Sequence, residues 1–388
     1  MNDKIKPTLS LIIFSLLSIS IIISGSFYSS ILFYISVMAM FFIYREINKS
    51  WQLVSLCLLL SIFSMIFFDN SGQNVNLTPQ TKIINDILGL NVSSTFFIYT
   101  IKIFFIFILI TLIRPKLENN FRLYLDIISS LFLIYIYIYN TDFYLGNRLA
   151  FKTGFDRLFP GSTAVYCFLF MVFAFKMRLP IFGIISLSMG YMTQSRSFSI
   201  TIMSVILCYI FLPIVKKITN NTGKLIIIYL LLGFTILWIL ELITLGIIPE
   251  VRITNERIFQ FNALPVRLNW ELLGLKEWTS SMQNIMWGVG NWQDIGPNPH
   301  HSLIQTLLER GIIVTAIMLI FIMNQISNNI KGMEPWIIGF FIISYFFPMN
   351  LISVYWLILL TIFKCDNVEI NNSILMKKIK NIIKIKIN

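Results

Sequence analysis

Histidine is almost missing from this chain: two occur in 388 residues, and they are neighbours, His300 and His301. Acidic residues are scarce too, 18 against 30 lysines and arginines, and charges of both signs make up 12% of the sequence. A soluble domain carries roughly 25%, so a water-soluble fold is excluded as the main architecture. There are four cysteines. Cys57, Cys167 and Cys208 fall inside apolar runs and Cys365 lies in a basic tail, so neither a disulfide framework nor a cysteine metal site is implied. Strict apolar–polar alternation is lacking as well, which excludes a membrane β-barrel. No internal repeat is visible, so a transporter built from inverted repeats gains no support. Gly288 and Gly290 in WGVGNW are too slight a signal for a nucleotide-binding loop.

What the chain has instead is apolar length. It is 56% hydrophobic, with 35 phenylalanines, and apolar runs long enough to cross a bilayer as helices recur throughout. The fold class is all-α, a polytopic transmembrane helical bundle forming one integral membrane domain over residues 1–388. Twelve spans are expected, at about residues 8–24, 27–44, 51–68, 96–113, 123–140, 161–175, 179–195, 197–213, 225–246, 302–323, 336–347 and 350–363.

The net charge of +12 suggests nucleic acid, but its distribution argues against that partner. With the N-terminus in the cytoplasm, the basic residues of the connections fall on one side. They are Arg45 and Lys49; Arg114, Lys116 and Arg122; Lys176 and Arg178; Lys216, Lys217 and Lys224; and Lys331. This is the bias that orients membrane spans. Lys4 and Lys6 precede an uncleaved first helix. Both termini are cytoplasmic, and the tail, 364–388, is a basic segment able to lie on an anionic leaflet.

The opposite face receives three polar stretches, residues 69–95, 141–160 and 247–301. The last is the longest and is rich in tryptophan, which predicts a small helical cap on the membrane surface rather than disorder. Within it, Leu264 to Met282 reads as an amphipathic helix with Leu268, Leu272 and Leu275 near one face. Asn298 suits a helix N-cap and Pro299 the first helical position, which places both histidines in the first turn of the tenth span. A helix N-terminus favours an anion and keeps a nearby histidine neutral. Alone, the pair could equally be interfacial residues with no task.

Four arginines add to the case. Arg196, in QSRS, sits in a short break between two apolar runs, where a charge should face the protein interior or a water-filled cavity. Arg252, Arg257 and Arg267 lie in the long outer loop, against the topological bias. Guanidinium groups bind phosphate oxygens in bidentate fashion and stay charged. Gln305 and Glu309 are spaced by four from His301 and share its face; with Arg310 they could position the cap or pair internally. Lys102, near the outer end of its span, can snorkel to the interface.

GVGNWQ…NPHHSLIQTLLERGI resembles the signature of the O-antigen ligase and Wzy-type O-antigen polymerase superfamily: a Gly-x-Gly turn, a gap, a His-Asn pair, then an aliphatic helix with Glu-x-Gly. His300 takes the place of the family histidine and His301 stands where asparagine is usual. Gln305, Glu309 and Gly311 follow in register. VRLNW at 266–270 resembles the family's Arg-x-x-x-Trp element, placing Arg267 at its arginine. QSRS at 194–197 resembles its Ser-Arg motif, placing Arg196 at a second; GFDRLFPGSTAVYCFLF is similar to the loop and span before it. The likeness covers about residues 150–320.

The resemblance implies a GT-C-like bundle with a large periplasmic loop over the bundle, in the bacterial inner membrane. It implies a glycosyltransferase that joins undecaprenyl-diphosphate-linked oligosaccharides at the periplasmic face, with no metal and no cofactor. His300 would be the base, and Arg196 and Arg267 would hold the diphosphate. His301, Arg252, Arg257, Glu309 and Gln305 would line the substrate site, and a polysaccharide chain-length regulator would be a partner. Polymerase is the leading expectation. The alternatives are a ligase moving finished polymer to lipid A core and, from a different class, a lipid-linked glycan transporter.

Overall fold

A computed structural model of the chain describes residues 5–23, 27–46, 48–68, 94–144, 148–153, 156–157, 160–246, 264–292, 296–347 and 349–366. These are mostly helical. Helices α1 (Ile5–Ile22), α2 (Phe27–Tyr44), α3 (Trp51–Phe68) and α4 (Ser94–Thr111) are followed by α5 (Arg122–Tyr139), which a short 3-10 turn precedes. Then come α6 (Pro160–Met177), α7 (Pro180–Met192), α8 (Arg196–Ile210), α9 (Leu212–Thr219) and α10 (Thr222–Thr244). Two short helices, α11 (Leu264–Trp278) and α12 (Met282–Trp287), lead to α13 (Ser302–Asn329), α14 (Glu334–Ser344) and α15 (Val354–Lys364).

Four stretches among the described residues are long and apolar enough to cross a membrane: Asn119–Tyr139, Pro160–Met177, Thr222–Thr244 and Ser302–Asn329. A fifth counts if α8 and α9, bent by 97° at their junction, form one broken span. The bend has a local cause, since Pro213 in the first turn of α9 cannot continue the α8 hydrogen-bond ladder. Shorter apolar helices make up much of the rest. The outward faces of the long helices are apolar: Leu131, Leu231, Phe234 and Trp238 are 62%, 59%, 63% and 60% exposed. Continuous surfaces of this kind suit hydrocarbon, not water. α6 is the enclosed centre, with nearly every side chain buried.

Three segments meet at one end of the bundle: the α2–α3 and α4–α5 connections and the chain after α15. Arg114 bonds Asp366 at 2.8 Å and lies 3.7 Å from Glu46. The backbone pairs there as well, Glu46 N to Leu112 O at 2.7 Å and Asp366 N to Pro115 O at 2.9 Å. Lys364 Nζ reaches Thr111 O. Three segments distant in sequence thus close one face.

The described residues depart from an all-α architecture in one place. Strands β1 (Thr141–Tyr144), β2 (Arg148–Thr153) and β3 (Asp156–Arg157) form an antiparallel sheet in the order β1-β2-β3, with Thr141 opposite Phe151 and Lys152 opposite Arg157. Leu149 and Phe151 are buried. The Phe151 ring stacks on Phe170 of α6, and its backbone N–H donates to Thr163 Oγ1 at 3.1 Å. A strand of this length shows too little alternation to be read among apolar helices.

Candidate functional site

The segment entering α13 is built from backbone contacts between glycines. α13 is not continuous: Gly311 has φ 69 and ψ 177, a break inside the helix. Gly288, φ 82, lies against that break, and a Cβ there would stand 2.6 Å from Arg310 N and 2.7 Å from Gly311 N. A Cβ on Gly311 would in turn stand 2.2 Å from Met286 O. Val289 N donates to Leu308 O at 2.7 Å, and Ser64 Oγ of α3 donates to Trp287 O at 2.8 Å. Val289, Trp292 and Leu308 form a small apolar core with Trp278 against it. Trp278 and Trp292 donate their indole N–H groups to Ile285 O and Pro297 O.

α13 begins later than the Asn298–Pro299 signal predicts. Its N-cap is His301, in extended backbone (φ −139, ψ 111), whose Nδ1 accepts from Ile304 N at 3.4 Å. Nε2 then carries the proton and donates to Gly233 O of α10 at 3.4 Å. The ring also lies 4.4 Å from that of Tyr345. With the Tyr345 ring only 2.9 Å from where its Cβ would be, Gly233 admits this packing because it has no side chain. His301 is 1% exposed: both nitrogens and a face are engaged in holding α10, α13 and the end of α14 together.

His300 faces the other way, onto α11. Its ring stacks on Trp270 with centroids 5.6 Å apart and planes 22° from parallel. Its Nδ1 is buried and has no hydrogen-bond partner. Burial first, and the Arg267 charge second, lower its pKa to about 4, so it is a neutral imidazole near pH 7. Burial also lowers Arg267, opposed by Glu271. Glu271, one turn along α11, is 1% exposed and its Oε2 has no partner. Burial raises its carboxyl to about 8 against the pull of Arg267. Arg267, Trp270, Glu271 and His300 therefore form one cluster. α11 packs there through Gly274, whose position lies against Leu308, Ile304 and Pro299.

Leu272, expected on the buried face, is 53% exposed; Glu271 has that place. The amphipathic run also ends early, because Ser281 caps α12 through Asn284 N at 3.0 Å. Gln305 and Glu309 are each 3% exposed. Gln305 Nε2 donates to Glu309 Oε1 at 3.1 Å, and Asn350 Nδ2 to Glu309 Oε2 at 2.7 Å. Arg310 donates to Thr100 Oγ1 at 2.6 Å. These three side chains serve the interior. Arg252 and Arg257 lie outside the described residues.

Arg196 opens α8 beside the paired hydroxyls of Ser195 and Ser197, 2.7 Å apart. α8 runs antiparallel to α14: Trp336 Nε1 donates to Tyr209 at 2.9 Å, and Gly339 packs on Val205. Continued by that register, Arg196 falls about one turn past Ser344, the last residue of α14. A residue that sequence reasoning passed over joins it: Arg148 of β2, whose Nε donates to Thr193 O at 3.1 Å. Among the described residues no group of histidine, cysteine, aspartate and glutamate is arranged to hold a metal ion. No protein-family model matches this chain, and no curated protein and no solved structure matches it either.

Proposed function

We propose that the chain is an inner-membrane glycosyltransferase that joins oligosaccharides carried on undecaprenyl diphosphate, acting as an O-antigen polymerase at the periplasmic face. The reading takes twelve spans, both termini in the cytoplasm and the 264–301 segment as the cap above the outer leaflet. One observation carries it: a neutral, half-buried imidazole whose Nδ1 has no hydrogen-bond partner, stacked on Trp270 and set beside the Arg267 guanidinium.

The chemistry needs a base at the acceptor hydroxyl and positive charge at the leaving group. The acceptor sugar oxygen attacks the anomeric carbon of the donor and forms the new glycosidic bond. The bond from that carbon to the diphosphate oxygen breaks, and undecaprenyl diphosphate leaves with the electron pair. His300 takes the hydroxyl proton. Arg267 and Arg196 bind the diphosphate, whose good leaving ability removes any need for nucleotide. Trp270 fixes the imidazole plane.

The test is reconstitution of the purified chain with a synthetic undecaprenyl-diphosphate repeat unit, following polymer and released lipid diphosphate. The wild type extends the glycan; His300→Ala is slower by about 10²–10⁴-fold, the usual worth of a positioned base. Equal rates for His300→Ala, Arg196→Ala and wild type would overturn the assignment. Transfer to lipid A core without polymer would make it a ligase.

A further inference from the structure

A second site lies at the opposite end of the bundle. A cavity of about 880 Å³ opens between the end of α6, the start of α7 and the start of α14. Met171, Phe175, Leu179, Ile184, Leu187 and Trp336 give it an apolar wall, with Lys176 and Arg178 at one end. Ile184 and Phe175 are 67% and 42% exposed, so the wall continues onto the lipid-facing surface. The volume is that of a small-molecule pocket.

The lining carries two cations, Lys176 and Arg178, and no carboxylate. Arg178 lies near enough to act electrostatically on Arg122 of α5. Arg122 Nε and Nη2 are shielded from solvent and have no hydrogen-bond partner. Two guanidinium groups thus lie within electrostatic reach of each other, one of them with buried, unsatisfied donors. Asp126, one turn along α5, is occupied elsewhere: its carboxylate accepts from Ile181 N at 3.2 Å and Phe182 N at 2.9 Å, capping α7. Asp366, already paired with Arg114, also acts electrostatically on Lys176.

The backbone supports the same reading. Arg178 has φ 59, a conformation costing an L residue about 1–2 kcal/mol. Gly332, at the same cavity, has φ 80 with open space where a side chain would be. One of the two left-handed turns at this mouth uses glycine and the other carries a guanidinium.

We propose that this cavity binds an anionic membrane phospholipid, with its phosphate on Arg178, beside Arg122, and an acyl chain along Trp336 and Phe175. Phosphate oxygens accept from the Arg178 guanidinium in the bidentate geometry it favours, and the Arg122 charge adds to the attraction. The site lies at the basic end of the bundle, where anionic headgroups gather.

Trp336 is a built-in reporter. Purified full-length protein is placed in vesicles of phosphatidylcholine with a small fraction of acyl-brominated phosphatidylglycerol, or of equally brominated phosphatidylcholine. The fluorescence missing in Trp336→Phe isolates the reporter. Quenching of that component is expected at about tenfold lower mole fraction for the glycerol lipid, the worth of one charge-assisted contact. Arg122→Gln with Arg178→Gln abolishes the preference while the chain stays folded by circular dichroism. The wild-type comparison stands even if that variant does not fold. Equal quenching by the two lipids in the wild type overturns the proposal, as does displacement of the brominated lipid by millimolar inorganic phosphate, which would make this a free-phosphate site.

Discussion

Gly288 and Gly311 lie at one backbone-to-backbone contact: a Cβ on Gly288 would strike Gly311 N, and a Cβ on Gly311 would strike Met286 O and Trp287 N. This contact joins the Gly-x-Gly turn to the break in α13, and so fixes the segment carrying His300 to the bundle. An alanine at either position meets two penalties, about 1–2 kcal/mol for the left-handed φ and about 1–3 kcal/mol for overpacking. Gly332→Ala meets the first alone, since nothing lies within 4 Å of its position. Thermal unfolding in detergent should rank Gly288→Ala and Gly311→Ala below Gly332→Ala. Equal midpoints for all three would refute the clasp.

The two histidines should separate in the same measurement. His301→Ala removes an N-cap, worth about 0.5–2 kcal/mol, together with the bond to Gly233 O and the packing on Tyr345. His301→Asn restores a cap and should recover part of the loss. His300→Ala gives up only a ring stacked on Trp270, worth about 0.5–1.5 kcal/mol by analogy with aromatic pairs. If His300→Ala were the more destabilising, the division of labour drawn here between a structural and a reactive imidazole would be wrong.

Much of the helical membrane architecture was legible because it rests on composition. Few charges and long apolar runs are properties of the whole chain, and the structure is mostly helical with four or five stretches among the described residues long enough to span. The candidate site was legible only in part. His300 and Arg267 stand out as rare polar residues, and the structure brings them together. Glu271 does not stand out, since a carboxylate in a polar loop carries no signal until burial is known. The start of α13 was misread because Asn298 and Pro299 suit a helix start so well; an extended His301 performs the cap in their place. The break at Gly311 leaves the apolar pattern intact, because the chain bends without changing which residues are buried.

Arg148 should affect the donor site without entering the reaction. Its Nε donates to Thr193 O, in the turn where Gln194 adopts φ 49 just before Arg196. Arg148→Gln loses a charge-assisted bond to that turn and loosens the Arg196 guanidinium. In the reconstituted assay KM for the lipid-linked donor should rise about fivefold, the equivalent of about 1 kcal/mol, with kcat within about twofold. A fall in kcat at unchanged KM would instead place Arg148 at the reacting atoms.

Glu271 and His300 respond oppositely to pH. The Glu271 carboxyl, ordinarily near 4.5, is raised to about 8 by burial. The folded chain therefore prefers it protonated, and the stability it contributes is full below about pH 4.5 and lost as pH rises through about 8. His300 is lowered from 6.5 to about 4. Its contribution is full above about pH 6.5 and lost as pH falls through about 4. Glu271→Gln should therefore remove the alkaline decline, so that the unfolding midpoint changes less than the wild type's between about pH 5 and 9. The same variant leaves His300 its Arg267 neighbour, so the rate should still fall only as pH approaches about 4, where the base becomes protonated. If Glu271→Gln moved the acidic limb of the rate and left the alkaline limb of stability in place, the proton assigned to His300 would belong to Glu271.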